Sequence, residues 1–261
     1  MPAKRKSDAS EGAEHGSGKK ARPDKEQVEL TYLGEGGSNV RPPASLKDKM
    51  REALAHLRGN ESLAPIIAAI EEKKPGDALV DSLVAGASMD PFCCVWEAIA
   101  HTRQQAKTAD STVASVKSAC AGTDDETTPK TPTPEQVLSS AEQVHKLMKG
   151  KKGNYVLSAA TFFKERGDEF SADAKADATD EELWKSELTA EIDGLGPSIM
   201  RTVMLKAYGR LDVLPAGVKL VDDFVKAERK KGKGEEEVVK AWRPYRGVAA
   251  LLLWEHAALS Q

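Results

Sequence analysis

From Leu46 onward the apolar residues of this chain recur at three- and four-residue intervals and almost nowhere alternate. That spacing puts Leu46, Met50, Leu54 and Leu57 on one face of a helix, and Leu63, Ile66, Ile67 and Ile70 on another. After Pro91, Phe92, Trp96, Ile99 and Ala100 share a side in the same way. Further helices are expected over residues 135–148, 154–166, 180–191, 197–208, 218–230, 235–241 and 246–258. The last of these is apolar nearly all round, which predicts a helix running through the core. The expected fold class is all-α.

The periodicity is absent before residue 44. Residues 1–43 are rich in Gly, Ser, Lys, Glu and Pro and are expected to be a disordered tail. Two basic clusters lie within it, Lys4-Arg5-Lys6 and Lys19-Lys20 with Arg22, separated by a polar spacer. They have the form of a bipartite nuclear localisation signal, which predicts a nuclear import receptor as partner and the nucleus as destination. Residues 44–261 are expected to form one helical domain, interrupted at 122–134 by a Thr/Pro/Asp-rich flexible insertion.

Charge and cysteine usage narrow the functional classes. The net charge is −3, yet residues 1–25 carry seven Lys/Arg against four Asp/Glu, leaving the body at −6. An acidic body disfavours indiscriminate nucleic-acid binding, whose affinity rests on phosphate neutralisation. Three cysteines, with Cys93 and Cys94 adjacent, make no disulfide framework and fall short of the four thiolates of an iron–sulfur cluster. A reducing compartment follows, with no metal expected. The longest apolar run, 248–254, is far below the roughly 20 residues that span a bilayer, so no membrane association is expected.

One turn stands apart. In "IDGLGPSI", Gly194 and Gly196 flank Leu195, and Pro197 then opens an apolar-periodic helix. Glycines tolerate positive φ, and proline suits the first helical position. Such a turn either simply joins two helices or presents backbone N–H groups to a phosphate, and the turn alone leaves both open.

The neighbouring segments extend the pattern. "ELTAEIDGLGPSIMRTVMLKAYGRLDVLPAG" followed by "AWRPYRGVAALLLW" resembles the helix-hairpin-helix (HhH-GPD) DNA glycosylase superfamily, in particular its AlkA-like alkylbase glycosylase branch. Ile192, Gly194, Leu195, Gly196, Leu214, Pro215, Trp242, Arg243, Pro244, Tyr245, Arg246, Ala249, Leu251 and Trp254 fall in register with that family's hairpin, its aromatic/aliphatic-Pro loop and its Trp-Arg-Pro-aromatic-Arg segment. The resemblance implies a two-lobed helical domain with duplex DNA held between the lobes, and a target base flipped out of the stack. It implies a DNA-binding hairpin of Gly194, Leu195, Gly196 and Ser198, which in some relatives carries a monovalent cation on its carbonyls. No other cofactor is expected, and the chain is expected to be a monomer.

The resemblance also exposes a missing group. Cleavage of an N-glycosidic bond builds positive charge on the sugar, which the family balances with an aspartate just after the loop. In this chain "LPAGVKLVDDF" places Val218 there. Loss of a general acid/base typically costs about 10²–10⁴-fold. Asp222 and Asp223 are the fallback carboxylates, with Asp222 one helical turn away. Where bifunctional relatives place a lysine nucleophile and AlkA-like relatives a tryptophan, this chain has Ser198, which disfavours a lyase. Trp254 and Tyr245 are the base-pocket candidates. Arg103, Gln104 and Gln105 are candidates for a side chain wedged into the duplex, and Lys151 and Lys152 for phosphate contacts. The expectation is a DNA-binding repair-family protein with impaired base excision; an active glycosylase using Asp222 or Asp223 and a non-catalytic protein scaffold are the alternatives.

Overall fold

The computed structural model describes residues 44–121, 131–215 and 218–260. The tail, its two basic clusters and most of the expected insertion lie outside the described residues. Within them the chain is helical and contains no strand. The helices are α1 (Ala44–Arg58), α2 (Ala64–Lys73), α3 (Asp77–Gly86), α4 (Pro91–His101), α5 (Ala106–Ala121), α6 (Pro134–Ser139), α7 (Ala141–Leu147) and α8 (Lys152–Arg166). A 3₁₀ turn (Gly167–Phe170) extends α8. Then come α9 (Asp180–Trp184), α10 (Glu187–Glu191), α11 (Pro197–Lys206), α12 (Lys219–Lys230), α13 (Glu235–Lys240) and α14 (Arg246–Leu259).

These helices bury two separate cores. The middle of the chain builds one around Trp96, Val156, Phe162, Phe163, Phe170, Leu195 and Met200. The two ends of the described chain meet in the other, where Met50, Leu54, Ile67 and Leu83 pack against Val221, Val225, Trp242 and Leu252. The result is a two-lobed helical architecture with α11 as the shared element: Met204 serves the first core and Leu205 the second. Adjacent residues on a helix point about 100° apart, so one helix can serve both.

Two backbone hydrogen bonds and one glycine fasten the junction. Met89 N donates to Lys206 O (2.8 Å), and Gly247 N donates to Leu211 O (2.8 Å). A Cβ at Gly247 would lie 2.6 Å from Leu205 Cδ1 and 2.8 Å from the Leu211 carbonyl, so the first turn of α14 can approach only as glycine. The preceding Trp-Arg-Pro-Tyr-Arg segment is largely structural. Trp242 is fully buried, and Arg246 grips Asp212 with Nε–Oδ1 at 2.9 Å and NH2–Oδ2 at 3.1 Å.

Several boundaries differ from the sequence expectation. The helix expected over 135–148 breaks at Ser140, and that over 180–191 breaks at Lys185–Ser186. In the second case Ser186 Oγ donates back to Leu183 O (2.6 Å), and this local bond competes with the helix. Residues 133–134, placed with the insertion, instead cap and open α6. Thr133 closes a capping box with Gln136 there, and Pro134 is the first helical residue. The helix opening at Pro197 stops at Lys206, before Gly209 at φ +60°.

Candidate functional site

The double-glycine hairpin joins α10 to α11 and rests on α8. Gly194 has φ +79°, and a Cβ there would lie 2.6 Å from Tyr155 Cγ. The position is therefore restricted twice, by backbone conformation and by the ring beneath it. Gly196 differs: its φ is −78°, and a Cβ there would meet nothing within 4 Å. Its backbone is open to whatever approaches. Leu195 between them is buried and anchors the turn in the first core, so its side chain is unavailable to a ligand. Ser158 Oγ accepts from Asp193 N (3.1 Å), pinning the start of the turn to α8.

Ser198 is exposed on the first turn of α11, where the N-cap Gly196 has no side chain to cap the amides. Helix N-termini attract anions through those amides and the helix dipole. Two hairpin carbonyls are already used within the turn, Ile192 O by Leu195 N (3.3 Å) and Gly194 O by Gly196 N (2.9 Å). A monovalent cation would share these oxygens through their second lone pairs. Among the described residues no group of three or more His, Cys, Asp or Glu is placed to hold a metal ion. Nor is any single described helix long and apolar enough to cross a membrane.

The first turn of α8 links the hairpin to the other candidate loop. Tyr155 underlies Gly194, while Lys152, three residues earlier, donates its Nζ to Ala100 O at the end of α4 (2.7 Å). Partial burial lowers the Lys152 pKa below the usual lysine range. Lys152 is thus committed to a structural bond, whereas Lys146, Lys149 and Lys151 are exposed around the α7–α8 turn. The surface is not uniformly basic: Asp193 sits exposed in the hairpin itself.

Just beyond α4, Arg103 has φ +54° and is the only non-glycine at positive φ among the described residues. Its side chain is exposed. A left-handed conformation costs an ordinary residue about 1–2 kcal/mol, so the surrounding turn must hold it there. Gln104 is half-buried, with its Oε1 lacking a hydrogen-bond partner, and Gln105 is exposed at the entry to α5. Of the three wedge candidates, Arg103 and Gln105 project outward. His101 in the same turn lies 3.3 Å from Asp110 through Nε2. Burial, with Lys206 and Lys152 nearby, lowers its pKa below the usual histidine value, and Asp110 opposes this.

The two pocket candidates have different ring neighbours. Tyr245 packs edge-on against His56 of α1, with ring centroids 5.5 Å apart. Its hydroxyl pKa is pushed up to about 12 by burial and the Glu52 carboxylate. Trp254 lies nine residues further along α14, a rotation of about 180° at 100° per residue. It meets Lys206, whose Nζ stands 4.8 Å from the ring centroid. Lys206 went unnoticed in the sequence; its distance from Trp254 along the chain leaves no local signal. Tyr155 was missed too, although its i+3 spacing from Lys152 puts both on one face of α8.

Val218 is the N-cap of α12, half-buried against the second core, and its carbonyl accepts from Asp222 N (3.0 Å). Leu214 and Pro215 before it are buried; Ala216 and Gly217 lie outside the described residues. Asp222 is half-buried one turn along. Asp223 is exposed and paired with Lys219, whose ammonium lowers the Asp223 pKa below the usual carboxylate value.

No protein-family model matches the chain, and no curated protein matches it. Among solved structures, the chain is similar to one described as MBOgg1 in complex with low-affinity DNA ligand. The TM-score is 0.47 at 15% sequence identity, over 74% of this chain and 71% of that one.

Proposed function

We propose that this chain is a nuclear helix-hairpin-helix glycosylase-superfamily protein of the AlkA-like branch that binds duplex DNA without efficient base excision. The observation that carries the second half is the aliphatic Val218 at the head of α12. An isopropyl group has no charge and no lone pair, so it cannot balance the oxocarbenium-like charge of glycosidic cleavage. Asp223 does not replace it: its carboxylate faces solvent in an ion pair with Lys219. Asp222 is displaced by one helical turn, about 5.4 Å, where misplacement of about 1 Å already costs on the order of 10²-fold.

The DNA-binding half is supported by the hairpin and the α4–α5 turn, which α8 ties together through Tyr155 and Lys152. Gly196 leaves room for a phosphate at the start of α11, Lys149 and Lys151 are exposed on the turn that opens α8, and Arg103 is exposed on the α4–α5 turn. Phosphate contact needs local rather than overall positive charge, so the acidic body does not forbid it. The nuclear assignment follows from the two basic clusters of the tail and their fit to an import receptor. The protein is read as a monomer.

The test is binding and base release on duplexes carrying an abasic analogue or an alkylated purine, with Val218→Asp beside the unmodified protein. Salt-dependent binding, negligible release and at least a tenfold gain on restoring the carboxylate are expected. Free base released by the unmodified protein, abolished in Asp222→Ala/Asp223→Ala, would establish an active glycosylase instead. No salt-dependent retention on duplex DNA would leave a protein-interaction scaffold.

A further inference from the structure

The run Thr128-Pro129-Lys130-Thr131-Pro132-Thr133-Pro134 contains three Thr-Pro pairs in seven residues, and no step of DNA recognition uses it. The first pair lies outside the described residues. The other two are placed, and they differ. Thr133 N donates to Gln136 Oε1 (2.8 Å), Thr133 Oγ1 accepts from Gln136 N (3.4 Å), and α6 begins at the next residue. Thr131 is exposed, lies in irregular backbone, and has no hydrogen bond to its hydroxyl among the described residues. Pro132 beside it is buried.

From this contrast we infer that Thr131 is a phosphorylation site for a kinase that requires proline after the acceptor, and that the modification unseats Pro132. A residue before proline is confined to extended backbone, the form in which a substrate lies in such a kinase's cleft. Thr131 has no hydroxyl hydrogen bond among the described residues, and a transient lift of 131–132 presents Pro132 to the kinase while α6 stays wound. Thr133 is extended too, at φ −76° and ψ 163°, but its hydroxyl is engaged in the capping box and the residues that follow are wound into α6. In the transfer, Thr131 Oγ1 bonds to the γ-phosphorus of Mg·ATP as the bond to the β,γ-bridging oxygen breaks. The hydroxyl proton passes to the kinase's base, and ADP leaves.

The consequence follows from what surrounds the segment. Thr131 and Pro132 line a groove of about 380 Å³ with Phe92 and Phe163, and its charged lining residues are Asp90 and Asp168. A phosphate adds about −1.5 to −2 charges at pH 7. No lysine or arginine among the described lining residues receives it, and two carboxylates repel it. Asp90 cannot give way easily, because its side chain accepts from Cys93 N (2.8 Å) and caps α4. The movable partner is the 131–133 segment. Its release opens the Thr133 cap and uncovers Phe92 and Phe163. This site lies at the N-terminal end of α4, whereas the Arg103 turn follows its C-terminal end, so the inference does not depend on DNA binding.

The experiment treats the full chain with a proline-directed Ser/Thr kinase and Mg·ATP, maps phosphate by mass spectrometry, and follows amide exchange at Thr133, Gln136 and Val137. Thr131 is expected to be modified at least tenfold faster than Thr133 in the native chain, with the two rates converging after denaturation. In the modified protein the three amides exchange at least tenfold faster. Asp90→Asn/Asp168→Asn, in which Asn retains the α4 cap, removes most of that acceleration. Thr131→Ala is expected to leave exchange in the untreated protein unchanged. Modification of native Thr133 as fast as Thr131, or none at Thr131 in native or denatured chain, overturns the site. Unchanged exchange after stoichiometric modification, or acceleration that persists in the Asn variant, overturns the repulsive release.

Discussion

Adding one methyl group to each hairpin glycine in turn separates what the turn needs for folding from what it needs for a ligand. At Gly194 the methyl meets two obstacles. The backbone sits at φ +79°, which costs an alanine about 1–2 kcal/mol. The added Cβ would lie 2.6 Å from Tyr155 Cγ, so the ring must shift, and overpacking of this kind costs about 1–3 kcal/mol. Against this stands about 0.4–1 kcal/mol from the stiffer unfolded chain. Gly194→Ala should therefore lose about 2–3 kcal/mol, read from urea unfolding with unchanged m-value. At Gly196 neither obstacle exists, so Gly196→Ala should stay within about 0.5 kcal/mol of the parent. Its effect should appear instead in DNA retention, reduced at least tenfold because the methyl stands where a phosphate would approach. A double-mutant cycle isolates the ring: in a Tyr155→Ala background Gly194→Ala should cost only the backbone part, about 1 kcal/mol. Equal stability losses at the two glycines, or no coupling to Tyr155, would refute the packing argument. Unchanged retention in Gly196→Ala would refute the phosphate cradle while leaving the hairpin intact.

Three further outcomes are expected. Asp212→Ala leaves the buried Arg246 guanidinium without its carboxylate and should cost about 3–5 kcal/mol, whereas Asp212→Ala/Arg246→Met should recover most of it in the same denaturation assay. Burial pushes the Cys94 thiol up to about 12 and the Cys93 thiol higher still. In the unfolded chain both ionise near pH 8.5, so there the unfolded state loses protons first. Stability should be flat below about pH 8 and fall above about 8.5 by roughly 1.4 kcal/mol per pH unit per thiol, a slope that Cys93→Ala/Cys94→Ala reduces. Lys206→Met should change stability by no more than about 1–2 kcal/mol, since the methionine keeps the contact with Trp254 but loses the cation–π attraction. It should also improve binding of duplexes carrying a cationic alkylated purine relative to an abasic analogue; an unchanged ratio would show that Lys206 does not screen the Trp254 face.

Much of the fold was legible because helices advertise themselves locally. The 3.6-residue spacing located the core faces of α1, α2 and α4, and the apolar run after Arg246 marked the first turns of α14 as buried. Boundaries were less legible where short polar side chains competed with the backbone. Ser186 makes one bond and Thr133 a reciprocal pair with Gln136 that set a helix end, and periodicity carries no trace of them. The same limit applied to the site. Gly194, Gly196 and Ser198 stand at the predicted turn, but Leu195 turns into the core and Lys152 is held by the Ala100 carbonyl. Tyr245 and Trp254 meet different neighbours, His56 and Lys206, that lie far from them in the sequence.

What the sequence determined by itself is the all-α class, most of the core-facing helices and the aliphatic side chain at Val218, because these are properties of residues within a few positions of one another. Valine carries no carboxylate in any conformation. What only the tertiary structure decided is which groups remain available: Tyr155 beneath Gly194, Lys206 over Trp254, Asp212 around Arg246 and the hydroxyl of Thr131, unbonded among the described residues. Each of these depends on side chains brought together by the packing of two cores, or left apart by it, and chain-local spacing cannot encode such meetings.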